Sequence, residues 1–368
     1  MPRLLALLLA VAMLTAGCGD TPGKPAEQAT PDRPSTTATG ARCDGVSFRD
    51  VLGRPPAYGA RELRRFPARQ HACRAMWLPH LERWFVPQSL ALDGETAWVS
   101  GYTWHQDVAD RACRLLRVRL DTATVLADQG RLVGAPGDRK PTFCRHGGGL
   151  VRDGHGLWIA EKERLWLVDP ARVGTRQQAV LRVWGIRKPI FGSTAVLRGD
   201  RIGLVHFRTT PRSRITWFRI EDLLAPGVLD LEGVRSDPTQ VAPVKTAPVP
   251  GSAQGLAYRP GHDGLLVSAY RRGCGVIIAA DGTTIDVMPG IEDFEFTHGN
   301  RLWVLSESSS RVYQRKVGPL TPMLTEYDAR EVMGLPRGDR CHRSWRTATA
   351  GRRTARRRRT PAPRTARR

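Results

Sequence analysis

One pattern of alternating polar and apolar residues recurs along this chain. Its clearest copy covers residues 291–317, where one alternating segment runs into a turn at residues 297–300 and a second one follows at residues 301–306. Two alternating segments joined by a short turn are typical of a β-hairpin. A third alternating run at residues 311–316 predicts another strand. The unit is therefore expected to be a small meandering sheet that needs neighbouring sheets to bury its faces.

Four weaker copies of this pattern precede the clearest one. A glycine lies between the first and second predicted strands of each copy, at Gly94, Gly154, Gly199, Gly261 and Gly299. In three copies a tryptophan follows four residues later, at Trp98, Trp158 and Trp303. At matched positions these rings are expected to pack between sheets. Repeats of roughly 40–50 residues that cannot bury their faces alone predict a ring or array of sheets.

Two segments resemble the start of a blade in the NHL-type and SMP-30/gluconolactonase-like β-propellers. They are PQSLALDG at residues 87–94 and AQGLAY at residues 253–258. The resemblance implies an all-β fold, a β-propeller of five or six blades over residues 87–335. Five copies are visible, and pairing of residues 43–86 with residues 318–335 could complete a sixth blade and close the ring.

The turn glycines give a register for comparing the first strands. Residues at the equivalent position near the start of each first strand are Gln88, Gly148, Ser193, Gln254 and Glu292. In a propeller these residues would line the central opening, so we expect a polar ligand-binding ring there, supplemented by Asp293 and His146. The alternative is that these polar side chains, with bound water, only satisfy the backbone groups at the strand ends.

The same resemblance raises the question of catalysis. SMP-30-like enzymes place a divalent metal at the axis through Glu, Asn and Asp side chains, but here the ring supplies one acid and the only asparagine, Asn300, lies in a turn. These residues offer too few oxygen ligands for a hard divalent cation. Neither a metal nor another cofactor is therefore expected. The alternative is a metal-dependent hydrolase or lactonase acting through Glu292 and Asp293. The sequence contains neither G-x-S-x-G nor H-E-x-x-H.

The N-terminal residues predict export from the cytoplasm. Residues 1–18 have a basic start, a short apolar run and small residues before Cys18, which is typical of an export signal. Residues 14–18 resemble the lipobox of bacterial lipoproteins, so Cys18 is the expected site of lipid attachment. A plain secretory signal is the alternative. Residues 19–42 predict a disordered spacer, and residues 43–86 an irregular N-terminal wrap.

Six cysteines remain after Cys18, and no C-x-x-C motif occurs. An oxidising compartment would permit disulfides between them. Proximity in the sequence favours the pairs Cys43–Cys73 and Cys113–Cys144.

The C-terminal residues carry much of the formal charge of +22, because residues 343–368 contain eleven Arg and no acid; without them the charge is +11. We expect residues 336–368 to form a disordered basic tail. The tail is either a polycationic arm for an anionic envelope component or a frame-shifted extension without a selected role; the absence of Lys favours the second explanation. A nucleic-acid partner is not expected for an exported protein.

Together these features predict a lipid-anchored propeller on the extracytoplasmic face of the cell membrane. It would bind a small molecule or an envelope polymer at its central opening, without clear catalysis. The ligand and the oligomeric state are left open by the sequence.

Overall fold

The two-residue alternation of the sequence forms strands through most of the structure. The computed structural model describes residues 43–335, apart from residues 138, 211, 272, 273 and 315. None of the helices in this part of the chain is long and apolar enough to cross a membrane. The predicted signal (residues 1–18), spacer (residues 19–42) and basic tail (residues 336–368) lie outside the described residues.

The described residues form 24 strands and a few short helices. The first twelve strands are β1 (Ala72–Met76), β2 (Phe85–Asp93), β3 (Thr96–Thr103), β4 (Ala112–Arg119), β5 (Val125–Gln129), β6 (Val133–Gly134), β7 (Thr142–Phe143), β8 (Leu150–Asp153), β9 (Gly156–Glu161), β10 (Arg164–Val168), β11 (Val180–Ile186) and β12 (Thr194–Arg198). The others are β13 (Arg201–Val205), β14 (Arg212–Arg219), β15 (Asp230–Leu231), β16 (Gln240–Val241), β17 (Lys245–Pro250), β18 (Ala253–Tyr258), β19 (Leu265–Arg271), β20 (Cys274–Ile278), β21 (Thr284–Val287), β22 (Ile291–Phe296), β23 (Arg301–Ser306) and β24 (Leu324–Asp328). The α-helices are α1 (Ile220–Leu224) and α2 (Ala329–Met333), and the 3-10 helices are Phe48–Asp50, Arg69–His71, Leu81–Arg83 and Val108–Asp110.

Five sheets of four or more strands surround a common axis. Four of them have four strands, in the orders β2-β3-β4-β5, β12-β13-β14-β17, β18-β19-β20-β21 and β22-β23-β24-β1. The fifth has six strands in the order β8-β9-β10-β11-β15-β16. The first strands contact one another in the order β2, β8, β12, β18, β22 and back to β2. This closed inner ring is the defining feature of a β-propeller.

The predicted all-β propeller is confirmed, but its blades differ from the five or six expected. Only four sheets are regular four-stranded blades, and the six-stranded sheet fills the place between the sheets that begin with β2 and β12. The sixth blade does not form. Instead, β1 pairs antiparallel with β24, so residues 72–76 and 324–328 complete the sheet of β22 and β23.

The predicted strand at residues 311–316 is wrong, and this error explains why a sixth blade was expected. The described residues of that run form a turn followed by irregular backbone, and the third strand of the sheet is β24. The sheet therefore takes its last two strands from the segments that were assigned to another blade. The propeller begins earlier than residue 87, since β2 starts at Phe85 and β1 lies within the predicted wrap.

Residues 223–250 contain five prolines, and the part of this segment before β17 extends the six-stranded sheet. Its short strands β15 and β16 run parallel to β11. The buried Asp230 on β15 accepts hydrogen bonds from both terminal nitrogens of Arg139, at 2.8 and 2.6 Å, and from Nε of Arg187, at 3.1 Å. Paired, charge-assisted hydrogen bonds of this kind hold planar guanidinium groups in a defined orientation.

Several local predictions are confirmed. All five turn glycines lie between the first and second strands of their sheets. Trp98, Trp158 and Trp303 are fully buried on second strands, each within a cluster that includes apolar side chains of the next sheet. The expected disulfides Cys43–Cys73 and Cys113–Cys144 are both present. The first of them fixes the chain before the propeller to the closing strand β1.

The inner strands β18 and β22 can approach each other closely because Gly255 has no side chain. A Cβ atom there would lie 2.7 Å from Cα of Asp293 and 2.9 Å from the carbonyl oxygen of Glu292. We therefore expect Gly255→Ala to lower the free energy of unfolding by about 1–3 kcal/mol, because the two strands would have to move apart. Urea unfolding of the purified protein measures the change.

Gly154→Ala is the matched control, because a Cβ atom at that turn would meet no heavy atom within 4 Å. Its unfolding midpoint should stay close to that of the unaltered protein. Equal stability of the two variants would contradict the close approach of β18 and β22.

Candidate functional site

The inner strands surround a central opening on one face of the propeller. The opening has a volume of about 760 Å³, which is in the usual range for a site that binds a small molecule. All five residues aligned on the turn glycines line it: Gln88, Gly148, Ser193, Gln254 and Glu292. His146 lines it as well. The structure thus brings these predicted residues together, and their role in binding stays a prediction.

Three of the ring residues project into the opening for one local reason. Gln88, Gln254 and Glu292 are each the extra residue of a β-bulge, because the pairing register of β2, β18 and β22 jumps across them. A bulge leaves its extra residue outside the ladder and changes the direction of its side chain. The same device at the same place in three blades therefore directs three planar polar side chains towards one centre.

Asp293 is the predicted site residue that the structure places elsewhere. Its Oδ2 accepts hydrogen bonds from the hydroxyl of Ser89 and from the backbone N–H of Leu90, the latter at 2.9 Å, and Ser89 Oγ in turn accepts from the N–H of Leu150 at 2.7 Å. This chain of hydrogen bonds links β22, β2 and β8. Burial raises the pKa of Asp293 to about 7, although these donors favour the charged form. Asp293 therefore ties the inner strands together and does not line the opening.

A pair of buried glutamates dominates one side of the opening. Glu292 is 2% exposed and Glu307 is 9% exposed, and their carboxyl groups are hydrogen-bonded to each other. Gln254 Nε2 donates to both oxygens of Glu292, at 2.9 Å each, and Gln88 Nε2 donates to Oε2 of Glu307 at 2.8 Å. Burial is the main cause that raises the pKa of both acids, and for Glu292 the neighbouring charge of Glu307 adds to it.

The segment that follows β23 brings Glu307 and a tyrosine to the opening. Tyr313 is hydrogen-bonded to Glu307 and to Tyr102. In the same segment the guanidinium of Arg311 lies over the ring of Trp84, at 4.8 Å from its centroid, and Trp84 stacks on Trp104 at 5.4 Å. Such cation–π and stacking contacts hold an otherwise irregular segment in place.

The side of the opening formed by the sheets of β8 and β12 carries two imidazole rings. His146 stacks on Tyr102, with ring centroids 5.1 Å apart, and His206 stacks on Phe191 at 4.5 Å. Burial lowers the pKa of both histidines, and nearby cations, Arg111 for His146 and Arg208 for His206, lower it further. His146 keeps an exposed surface within the opening. Both rings are therefore neutral hydrogen-bonding groups at pH 7.

The alignment of the first strands did not find four further residues of the opening: Glu307, Tyr313, Tyr102 and His206. For three of them the sequence contained a positional signal. Glu307 and His206 directly follow second strands, and Tyr102 lies near the end of one. In an antiparallel hairpin the end of the second strand lies beside the start of the first. Aligning only the first strands therefore found half of the ring. Tyr313 carries no such signal, because its position depends on the irregular segment after β23.

The residues do not fit the divalent metal centre that the SMP-30-like resemblance would imply. Asp293 is engaged by Ser89 and Leu90, and Oδ1 of Asn300 accepts hydrogen bonds from Arg259 at 2.9 and 3.1 Å. Within the described part of the chain, only one group of three His, Cys, Asp or Glu side chains is compact enough to hold an ion, and it consists of Glu161 with the disulfide-bonded Cys113 and Cys144. Disulfide sulfurs are not thiolate ligands.

Comparisons with known proteins found similarity to solved structures but no match by sequence. No protein-family model and no curated protein sequence matches the chain. Among solved structures, the chain is similar to regucalcin from Agrobacterium tumefaciens, described as a calcium-binding protein, with 10% identity, a TM-score of 0.34, and coverage of 66% of this chain and 89% of that one. It is also similar to the Cps50 (Swd1) β-propeller domain of Myceliophteria thermophila, with 12% identity, a TM-score of 0.33, and coverage of 66% and 82%. The propeller assignment itself rests on the sheet topology.

The raised pKa values at the axis predict how stability depends on pH. An acid whose folded pKa is raised contributes stability that is full below its unfolded pKa and is lost as the pH rises through the folded value. For Asp293 that window runs from its ordinary value of 3.8 to about 7. We expect the free energy of unfolding to fall over this range, by about 1.4 kcal/mol per pH unit for each proton that only the folded state retains.

Glu307→Gln should make this decline shallower, because one group with a raised pKa no longer titrates. Glu221→Gln is the control, since Glu221 is an exposed acid on α1, away from the opening. Urea unfolding between pH 4.5 and pH 8 at constant ionic strength gives the two slopes. A Glu307→Gln slope identical to that of the control would show that the pair does not titrate in this range.

Proposed function

We propose that this protein is a β-propeller tethered to the extracytoplasmic face of the membrane through a lipid on Cys18, and that it binds a polar ligand in its central opening. The ligand is a small molecule or the end of an envelope polymer. The convergence of the bulged residues Gln88, Gln254 and Glu292 on one opening is the observation that carries this proposal.

The chemistry of the opening favours recognition by hydrogen bonding. A carboxyl pair that holds a shared proton both donates and accepts hydrogen bonds, as do the amides of Gln88 and Gln254. The neutral rings of His146 and His206 offer further donors and acceptors with flat faces. A ligand that forms several hydrogen bonds at once would satisfy these groups, which a purely apolar ligand would leave unpaired.

A metal-dependent hydrolase remains the less favoured alternative. Regucalcin is described as a calcium-binding protein, but the acid and amide oxygens that such a centre would need are engaged in this chain. Asp293 links inner strands, and both oxygens of Glu292 face the amide nitrogen of Gln254, which is not a metal ligand. A binding role needs no such centre.

A thermal-shift panel tests the binding role. We expect at least one class among sugars, amino acids, amines and carboxylates to raise the melting temperature, and Gln254→Ala to reduce that increase by more than half. The reason is that Gln254 both lines the opening and orients Glu292. Gln177→Ala, an exposed substitution on another loop, is the matched control and should respond as the unaltered protein does.

Calcium and manganese salts belong in the same panel. Clear stabilisation by either ion that disappears in Glu292→Gln would favour the hydrolase, and we expect none. If no compound of any class raises the melting temperature, the opening is not a binding site and the proposal fails.

Membrane attachment is tested separately by Cys18→Ser. We expect the unaltered protein to sediment with membranes and the variant to move to the soluble fraction, because the lipid would have no thiol to attach to. Fractionation followed by immunoblotting measures the distribution. An unaltered protein that is already soluble would indicate a plain secretory signal.

A further inference from the structure

A second cavity, outside the central opening, is unusually rich in cations. It has a volume of about 590 Å³ and lies beside the ends of β10 and β11, on the same face of the propeller as the opening. We call it the basic cavity. Its charged lining consists of Arg139, Lys140, Arg164, Arg187 and Lys188, with Glu163 as the only acid among the described lining residues.

Two of these arginines are held in place before any ligand arrives. Asp230 is 6% exposed in its side chain and bonds both Arg139 and Arg187, whose side chains remain 42% and 46% exposed. Arg164 is held in a similar way, through Nη1 to Oε1 of the buried Glu161 at 3.2 Å. A guanidinium group has five N–H donors, and each buried acid accepts hydrogen bonds from only some of them. The remaining donors stay available to the cavity.

The charge of the cavity is positive even after these ion pairs are counted. Asp230 and Glu161 offset two of the five cations and Glu163 a third. Lys140 and Lys188 are exposed at the rim. Cations gathered around a concave surface raise the local concentration of anions. Preformed guanidinium forks match the geometry of phosphate oxygens, and lysine contributes as a point charge.

A third cavity shows that the presence of basic residues alone does not give a cavity an excess of positive charge. It contains Arg198, Arg201 and Lys245, but two aspartates line the same space. Asp263 pairs with Arg198 at 3.0 Å and Asp200 with Arg201 at 3.5 Å. Both aspartates line the third cavity, whereas Asp230 and Glu161 are not among the described lining residues of the basic cavity and Glu163 is the one acid that is. An anion would therefore meet two carboxylates beside three cations in the third cavity, but one carboxylate beside five cations among the described residues of the basic cavity.

We propose that the basic cavity binds a phosphoryl group, with Arg139, Arg164 and Arg187 as its preformed donors and Lys140 and Lys188 at its entrance. The group belongs either to a free phosphate ester or to the head group of an anionic phospholipid. The site is independent of ligand binding in the central opening, and the two can be tested separately.

Isothermal titration with inorganic phosphate and with glycerol 3-phosphate at fixed ionic strength tests the site, with glycerol as the uncharged probe. We expect both phosphates to bind and glycerol not to bind. Lys188→Gln should weaken phosphate binding by about threefold to tenfold, as expected for the loss of one partly exposed charge. Lys245→Gln, the same substitution in the third cavity, is the matched control and should leave phosphate binding unchanged.

Arg139→Gln removes a principal donor but also leaves the buried Asp230 with one partner fewer, so it risks unfolding. The double variant Arg139→Gln, Asp230→Asn avoids the unpaired charge, and it should fold and bind phosphate more weakly than the Lys245→Gln control. Binding that is equal in all variants, or no binding of inorganic phosphate, of glycerol 3-phosphate or of phosphatidylglycerol vesicles, would overturn the proposal.

The source of the phosphoryl group is decided by a further arm of the same experiment. Flotation with vesicles of phosphatidylglycerol and phosphatidylcholine is compared with flotation on phosphatidylcholine alone, using protein that lacks the lipid on Cys18. Retention on the anionic vesicles that Lys188→Gln reduces would assign a phospholipid head group. Binding of glycerol 3-phosphate without retention would assign a free ester.

Discussion

The inner strands of this propeller must approach one another closely at the axis, and the rest of the structure depends on that approach. Small residues permit it, as at Gly255, and one buried carboxylate, Asp293, links β22 to β2 and through Ser89 to β8. These contacts use the residue immediately after each bulge. The bulged residues themselves are left to face the opening, so the packing of the axis and the polar lining of the site result from the same local irregularity.

Closure of the ring joins the two ends of the described chain. The last sheet receives β24 from the C-terminal side and β1 from the N-terminal side. Such closure leaves no exposed edge between the first and last blades. It also depends on contacts between residues about 250 positions apart, which are slow to form because of the entropy of closing a long loop. The disulfide Cys43–Cys73 adds a local covalent link to the strand that completes the ring.

Much of the architecture could be predicted from the sequence because the signals were local. Alternation defined the hairpins, the turn glycines gave their register, and the matched tryptophans indicated packing between sheets. The third strand of the last sheet could not be found in this way. Residues 311–316 alternate as a strand does, but the edge beside β23 is taken by β24, and only tertiary pairing distinguishes the two.

The candidate site was predictable to the extent that it follows the blade register. Gln88, Gln254 and Glu292 share a position in that register, and the structure places them around one opening. Asp293 is adjacent to Glu292 in sequence but does not line the opening, because Glu292 is the extra residue of the bulge while Asp293 is held by Ser89 and Leu90 of β2. Glu307 and Tyr313 reach the opening on an irregular segment, whose course depends on contacts with Trp84 and Tyr102 that no local pattern encodes.

The distribution of charge explains how a strongly basic chain can hold two sites of opposite preference on one face. The paired acids of the central opening, Glu292 and Glu307, are buried and share hydrogen bonds with amides and with each other, and neither has a Lys or Arg ion-pair partner within the described part of the chain. Next to the basic cavity, the buried acids Asp230 and Glu161 are matched to guanidinium groups that extend past them, although Glu161 also lines the central opening. An anion is therefore disfavoured where the carboxyl groups face the ligand and favoured where they lie behind the arginines. Glu163 lines both cavities, so the two sites are neighbours on this face of the propeller.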